Sequence, residues 1–360
     1  MPTHTESMEM SFKQRVNVFW NWFGEHAESL FELVSSQQHQ QAFDLIAPQV
    51  ESLGPGFGWN FGPGESNGHS LTLSPNGLVG HQLLSNYWLA RAPKFAGWTF
   101  YSSKQRSAHG EAFALQVGEE RIACEDIQIE FTPDDETENI DILAYHPVFA
   151  QLPEQDQYQI VFLMLDESLG EHGTSSMVGE IGISTSPLER PVSLTQFYES
   201  AMSVFEQREW TLATPGESYT LISIGNAIDG EFIRSDAITI NSCFPDLVIE
   251  FLSQDGQLDD PIIENGGAFI FVDIPRSYFP VGDEARTRGE FEDELNDRLV
   301  ANQAGELIGG SAGSISMYSD FILFDCEEGL ELVRQFMVEK ELPEGSAIHF
   351  FGNGTPSVVI

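Results

Sequence analysis

Lysine is nearly missing from this 360-residue chain. Only Lys13, Lys94, Lys104 and Lys340 occur, and 16 basic residues stand against 56 acidic ones, a formal net charge of -40. A surface so poor in cations repels phosphate backbones and has few groups with which to release their counterions, which excludes ordinary DNA or RNA binding. Cysteine is scarce as well. Cys124, Cys243 and Cys326 are odd in number and far apart, so they make neither a disulfide framework nor a paired metal site, and a reducing compartment fits best. No apolar run reaches the roughly 18 residues of a membrane helix. The start, MPTHTESMEMSFKQR, lacks a basic stretch followed by an apolar one, so the expectation is a soluble, cytoplasmic protein with no membrane partner.

Cofactor signatures are missing too. A P-loop needs Gly-Lys-Ser/Thr opening a helix, and no lysine lies between Lys104 and Lys340. The run GGSAGS lacks the spacing of a dinucleotide fingerprint. The nine histidines are scattered, none at the face-sharing spacing of metal ligands. The acid pairs Asp134-Asp135 and Asp259-Asp260 sit in no calcium-loop pattern and read as solvated loops. No cofactor and no metal are expected.

What is present is a clear alternation of element types. After a polar leader (1–10), Phe12, Val16, Phe19, Phe23, Ala27, Leu30 and Val34 recur in steps of three and four, one face of a helix. A second helix is expected over Gln40 to Leu53, before the breaker Gly54-Pro55-Gly56, and a third around Leu78 to Ala90, before Pro93. GFGWNFG, HSLTLSPNG, GWTFY, IQIEFTP, NIDILAYHP, IVFLMLD and MVGEIGIS read as strands, and Ser193 to Arg208 as helix. The first domain, residues 11–255, is therefore expected to be α+β, with helices packed on an antiparallel sheet. Past a linker at 256–266, residues 267–360 follow a β-α-β-β-α-β order, which predicts a ferredoxin-like domain.

Four groups of residues invite a functional reading. Gly309-Gly310-Ser311-Ala312-Gly313 satisfies the G-x-S-x-G pattern of a hydrolase nucleophile turn, with Asp320 or Asp325 and then His349 in the order of a triad. Such a serine needs a strand-to-helix turn, yet SISMYSDFILF reads as a strand, so the match is expected to be a coincidence. LDESLGEHG places Asp166, Glu171 and His172 directly after an apolar run, where acid-base residues often sit, although a strand leaving the core must in any case end in something polar. RGEFEDELNDRL presents Glu290, Glu292, Asp293 and Asp297 as candidate binding acids, with a solvated outer face as the plain alternative. Trp20, Trp22, Trp59, Trp88 and Trp98 crowd the first hundred residues and are expected to pack the core rather than anchor a partner.

FWNWF at 19–23, ARAPKFAGWTFYSSK at 90–104, FLMLDESLGE at 162–171 and RGEFEDELNDRL followed by GELIGGSAG resemble a group of bacterial two-part proteins of unknown function. The resemblance implies a bacterial, cytoplasmic protein with a helix-rich first part and a ferredoxin-like second part, and carries over no catalytic residue. Some groups of this kind look similar to immunity proteins that neutralise toxins. The expectation is a non-enzymatic module whose acidic surface engages a basic protein partner, although a salty cytoplasm favours the same composition. The alternative is an enzyme of unrecognised type with its site near Asp166, Glu171 and His172.

Overall fold

The structure, a computed structural model, describes residues 10–107, 113–118, 120–225, 232–352 and 358–359. Residues 1–9 of the expected leader lie outside the described residues. The fold is α+β, built from antiparallel and mixed sheets covered by helices.

Helix α1 (Phe12–Ser35) starts on a capping box. Ser11 Oγ accepts from the Gln14 amide while the Gln14 side chain accepts from the Ser11 amide, which satisfies two of the donors a helix start leaves open. Its stripe buries Phe12, Val16, Phe19, Phe23, Leu30 and Val34, as the spacing predicts. Helix α2 (His39–Glu51) follows, then the antiparallel pair β1 (Gly58–Pro63) and β2 (His69–Ser74), helix α3 (Val79–Ala90), and β3 (Trp98–Tyr101), which runs parallel to β2. Trp20, Trp88 and Trp98 are buried and Trp22 and Trp59 partly so. Trp20 stacks on Trp88 at 4.6 Å and donates its Nε1 proton to the Trp88 carbonyl. These rings make core.

Residues 113–212 surround a separate apolar cluster. The short pair β4 (Ala114–Val117) and β5 (Glu120–Ala123) precedes the hairpin of β6 (Gln128–Asp134) and β7 (Asn139–Tyr145); helices α4 (Glu154–Leu169) and α5 (Glu171–Met177) then lead to β8 (Val178–Ser184), parallel to β7. Strand β9 (Val192–Ser193) and helix α6 (Leu194–Arg208) complete the cluster's shell. The sheet order is β8-β7-β6-β9. One expectation fails here, because IVFLMLD is not a strand but the second half of α4. Six consecutive apolar residues fit a buried strand or a helix equally well by periodicity. The helix buries Ile160, Val161, Met164, Leu165 and Leu169 at helical spacing and leaves Phe162 and Leu163 exposed.

The remaining strands form one antiparallel sheet in the order β10 (Thr220–Ser223), β11 (Ala237–Ser242), β13 (Gly305–Gly313), β14 (Ser316–Leu323), β12 (Ala268–Pro275), β15 (Ala347–Phe350) and β16 (Val358–Val359). Helix α7 (Pro245–Ser253) joins β11 to β12, while α8 (Glu284–Ala301) and α9 (Cys326–Glu339) supply the helices of the β-α-β-β-α-β order. Ile270, Val272, Ile274, Met317, Phe321 and Leu323 point into a cluster with Phe291, Leu295, Val333 and Phe336 of those two helices. Phe269, Phe271, Tyr318 and Ile322 point the other way, into the cluster formed by α1, α2 and α3. All eight residues of β14 are buried.

A sheet apolar on both faces needs a layer on each side. The first hundred residues supply the second layer, so the expected boundary at 256–266 does not separate two cores. The sheet continues past it to β10 and β11, and Tyr87 on α3 meets Phe324 at 3.9 Å between ring centres.

Candidate functional site

The would-be triad does not assemble. Ser311 lies within β13 and His349 on β15, and the order β13-β14-β12-β15 separates them by three strand spacings, roughly 14 Å at about 4.8 Å each. His349 stacks on Phe271, with Nε2 3.8 Å from Asp273 Oδ2. Asp325 caps α9 and accepts from Ser11 Oγ at 2.8 Å. Asp320 is fully buried and bound in a two-bond fork by Arg234, Nη1 at 2.6 Å and Nη2 at 2.7 Å. The same guanidinium donates from Nε to Ser311 Oγ at 3.1 Å. Arginine stays charged at any working pH and cannot serve as a general base, so Ser311 has a structural partner rather than an activating one.

The glycines of the motif belong to the strand and not to its turn. Gly309 holds φ +149 at an irregularity in the β13-β14 register, where a Cβ would fall 2.5 Å from the Asn241 carbonyl oxygen. A Cβ on Gly313 would fall 2.1 Å from Asp236 Oδ2. Asp236 accepts from the Ile315 and Ser316 amides and from the Tyr318 hydroxyl, tying the β13-β14 turn to the chain entering β11.

Asp166, Glu171 and His172 are neighbours at the α4-α5 junction, around Gly170 at φ +79. Glu171 is buried, and its carboxylate accepts from Ser74 Oγ, the Gly77 amide and the Lys104 amide at 2.9 to 3.1 Å. Its lone pairs are engaged in joining α5 to the ends of β2 and β3. Burial pushes the Asp166 carboxyl above its ordinary range and the His172 imidazole below its own. His172 Nδ1 lies 3.1 Å from Ser176 Oγ. Glu171 also lines a cleft of about 310 Å³ with Ser175, Ser176, Ser218 and Cys243.

On α8 the four candidate acids diverge. Glu290 is exposed and paired with Arg286, and Asp297 is exposed. Glu292 is buried against the sheet, accepting from Ser319 Oγ at 2.9 Å with Arg288 Nε at 3.1 Å. Burial pushes its carboxyl up to about 7; Asp320 and Asp293 add to the rise, while Arg288 and Ser319 oppose it. Glu292 and Asp293 line a cavity of about 490 Å³ between α8 and β13, together with Arg288, Asn296, Glu306, Gly309, Gly310, Asn241 and Tyr219. Part of the G-x-S-x-G run is therefore cavity wall.

Sequence reasoning missed Arg234, Asp236 and Arg288. The partners of Arg234 and Asp236 lie on strands and turns distant in the chain, with no local spacing to mark them, whereas Arg288 sits four residues before Glu292 on the same helix and only its place at the cavity wall was hidden. Among the described residues no group of three or more His, Cys, Asp or Glu side chains could share a metal ion, and no helix is long and apolar enough to cross a membrane. No protein-family model, curated protein or solved structure matches this chain.

Proposed function

We propose that this protein is a non-enzymatic binding protein, of the immunity or adaptor sort, that engages a basic protein partner through an acidic face. The observation that carries the reading is the open face of the β8-β7-β6-β9 sheet. Its other face packs Ile129, Ile140, Ile142 and Ala144 into the core. The open face presents Glu130, Asp141 and Glu180 around Leu143 and Tyr145, with Glu130 directly opposite Leu143 and the Glu180 amide donating to Asp141 Oδ1, and none of these five is buried.

The β6-β7 turn adds Asp134, Asp135, Glu136 and Glu138 at the rim. Residues 113–212 contain 20 acidic residues, three arginines and no lysine. Among the described residues of this face and rim, only Asp135 has a basic partner, Arg208. Unpaired charge of one sign around exposed apolar side chains favours a partner of the opposite sign and speeds its encounter. The outer faces of α8 and α9 are a poorer candidate, because Glu290, Glu294, Glu331 and Glu339 already pair with Arg286, Lys340, Arg334 and Arg298.

The test is anisotropy of a labelled Lys/Arg-rich peptide titrated with the full chain. Binding is expected to weaken as salt rises, since exposed charges are screened beyond about 10 Å at 0.1 M. The double reversal Glu130→Lys, Glu180→Lys should lower affinity by at least about tenfold, with Asp297→Lys as the control that changes little. A peptide affinity unmoved by salt, or equal in the reversal variant, refutes the reading.

A further inference from the structure

The cavity between α8 and β13 holds an arginine whose donors are not all used. Arg288 keeps only 14% of its side chain exposed, and its buried Nε has no hydrogen-bond partner among the described residues; Glu292 lies close, but too poorly aligned for a bond. Buried donors are almost always satisfied, so an unspent guanidinium N–H beside a cavity marks a place for an acceptor. The cavity's size, about 490 Å³, falls in the range of about 300–1,000 Å³ usual for small-ligand sites.

Its other walls decide the ligand class. Glu292, Asp293 and Glu306 share the lining with Arg288, and three carboxylates disfavour a ligand as anionic as a phosphate. Burial raises the Glu306 carboxyl as it does that of Glu292, and outweighs the opposing pull of Arg91 on the first and of Arg288 on the second. Asn296 spends its Oδ1 on the Leu307 amide, and the Tyr219 hydroxyl donates to the Leu307 carbonyl. These bonds fix polar groups in the wall without filling the space.

We propose that this cavity binds a small zwitterion of the amino-acid class, its carboxylate taking the free donors of Arg288 and its ammonium facing Glu306, Asp293 and Glu292. One cavity carrying both an under-bonded guanidinium and desolvated carboxylates is complementary to a molecule with both charges, and poorly complementary to one with either alone. The site is separate from the acidic sheet face and does not depend on it.

The experiment is calorimetric titration of the full chain with each of the twenty L-amino acids, and then of the tightest binder's deaminated acid and decarboxylated amine. At least one amino acid is expected to bind, with both fragments weaker by about tenfold or more, the value of a lost charge-assisted hydrogen bond. Arg288→Gln should weaken the amino acid by a similar factor. Arg286→Gln, on the outer face of the same helix, should leave it unchanged. Should Arg288→Gln fail to fold by circular dichroism, Glu306→Gln takes its place with the same expected loss. No heat from any amino acid at about 10 mM, weaker than the millimolar class of affinity, overturns the proposal. So does a fragment that binds as tightly as the parent, or a folded pocket variant with undiminished affinity.

Discussion

Arg234→Met tests the most deeply buried charge pair. Both side chains of the Arg234–Asp320 pair have no exposed surface, and Phe271, Tyr318 and Phe351 surround the guanidinium at 5.0 to 5.4 Å. Methionine fills much of the same volume but leaves the Asp320 carboxylate without either guanidinium bond, and removing one partner of such a pair costs about 3–5 kcal/mol. Replacing both partners by apolar residues is often neutral, so Arg234→Met with Asp320→Leu should recover at least about 2 kcal/mol of that loss. The assay is urea denaturation at pH 7 followed by tryptophan fluorescence. Trp20, Trp22, Trp59, Trp88 and Trp98 all report on the core shared by α1, α3 and the long sheet, and midpoints are compared because a chain with three apolar clusters need not unfold in one step. A single variant within about 1 kcal/mol of the parent, or a double variant as unstable as the sum of the singles, refutes the reasoning.

Other outcomes follow from the same geometry. Glu292 has its carboxyl raised from 4.5 to about 7, chiefly by burial, with Arg288 and Asp293 on its own helix, Glu306 on β13 and Ser319 and Asp320 on β14 around it. The fold prefers the proton, so this stability is fully present below about pH 4.5 and is lost as pH rises towards 7. Glu292→Gln should remove that dependence, gaining about 3 kcal/mol over the parent between pH 4.5 and 8; a urea-midpoint difference that is independent of pH counts against it. Ser311→Ala should cost about 1–3 kcal/mol, because it strips the buried Arg234 Nε of its acceptor, and should leave any ester hydrolysis by the preparation untouched; a drop in hydrolysis would revive the triad. Glu171→Gln turns an acceptor-only group into a partial donor facing Ser74, Gly77 and Lys104, and should lower stability by about 1–3 kcal/mol. A thermal melt unchanged from the parent would show that the α4-α5 junction does not rely on that carboxylate.

How far the sequence was legible depended on whether the signal was local. The α1 stripe from Phe12 to Val34 and the alternation in β14 are written in consecutive residues, and each element formed where its spacing says. IVFLML was ambiguous because a short apolar run does not distinguish strand from helix, and the polar residues from Glu154 to Gln159 that complete the helix carry no apolar periodicity. The cores were harder still. Nothing between Trp210 and Gly267 announces that β10 and β11 extend a sheet whose other strands begin at Ala268. Arg234 meets Asp320 across 86 positions, and a bond of that separation exists only once β11, β13 and β14 are side by side. The G-x-S-x-G match misled for the same reason, since its chemistry required a histidine that the strand order holds three strands away.

Few cations and much acid look, in composition, like one fact about the surface, but the fold distributes the few cations unevenly. Arg15 and Arg234 are buried, Arg288 nearly so, and Arg91 lies half-buried over the Tyr87 ring at 3.2 Å. Arg276, Arg286, Arg298, Arg334 and Lys340 are held in ion pairs on and around α8 and α9. Cations so placed neutralise their own neighbourhoods and leave the β6-β7-β8 face with almost none. Beyond about 8 Å at physiological salt, screening removes most of the compensation that distant charges supply. An approaching basic chain therefore meets the local excess of Glu130, Asp141, Glu180 and the β6-β7 turn rather than the molecular average. That is why reversing two of these charges should matter when reversing Asp297 does not.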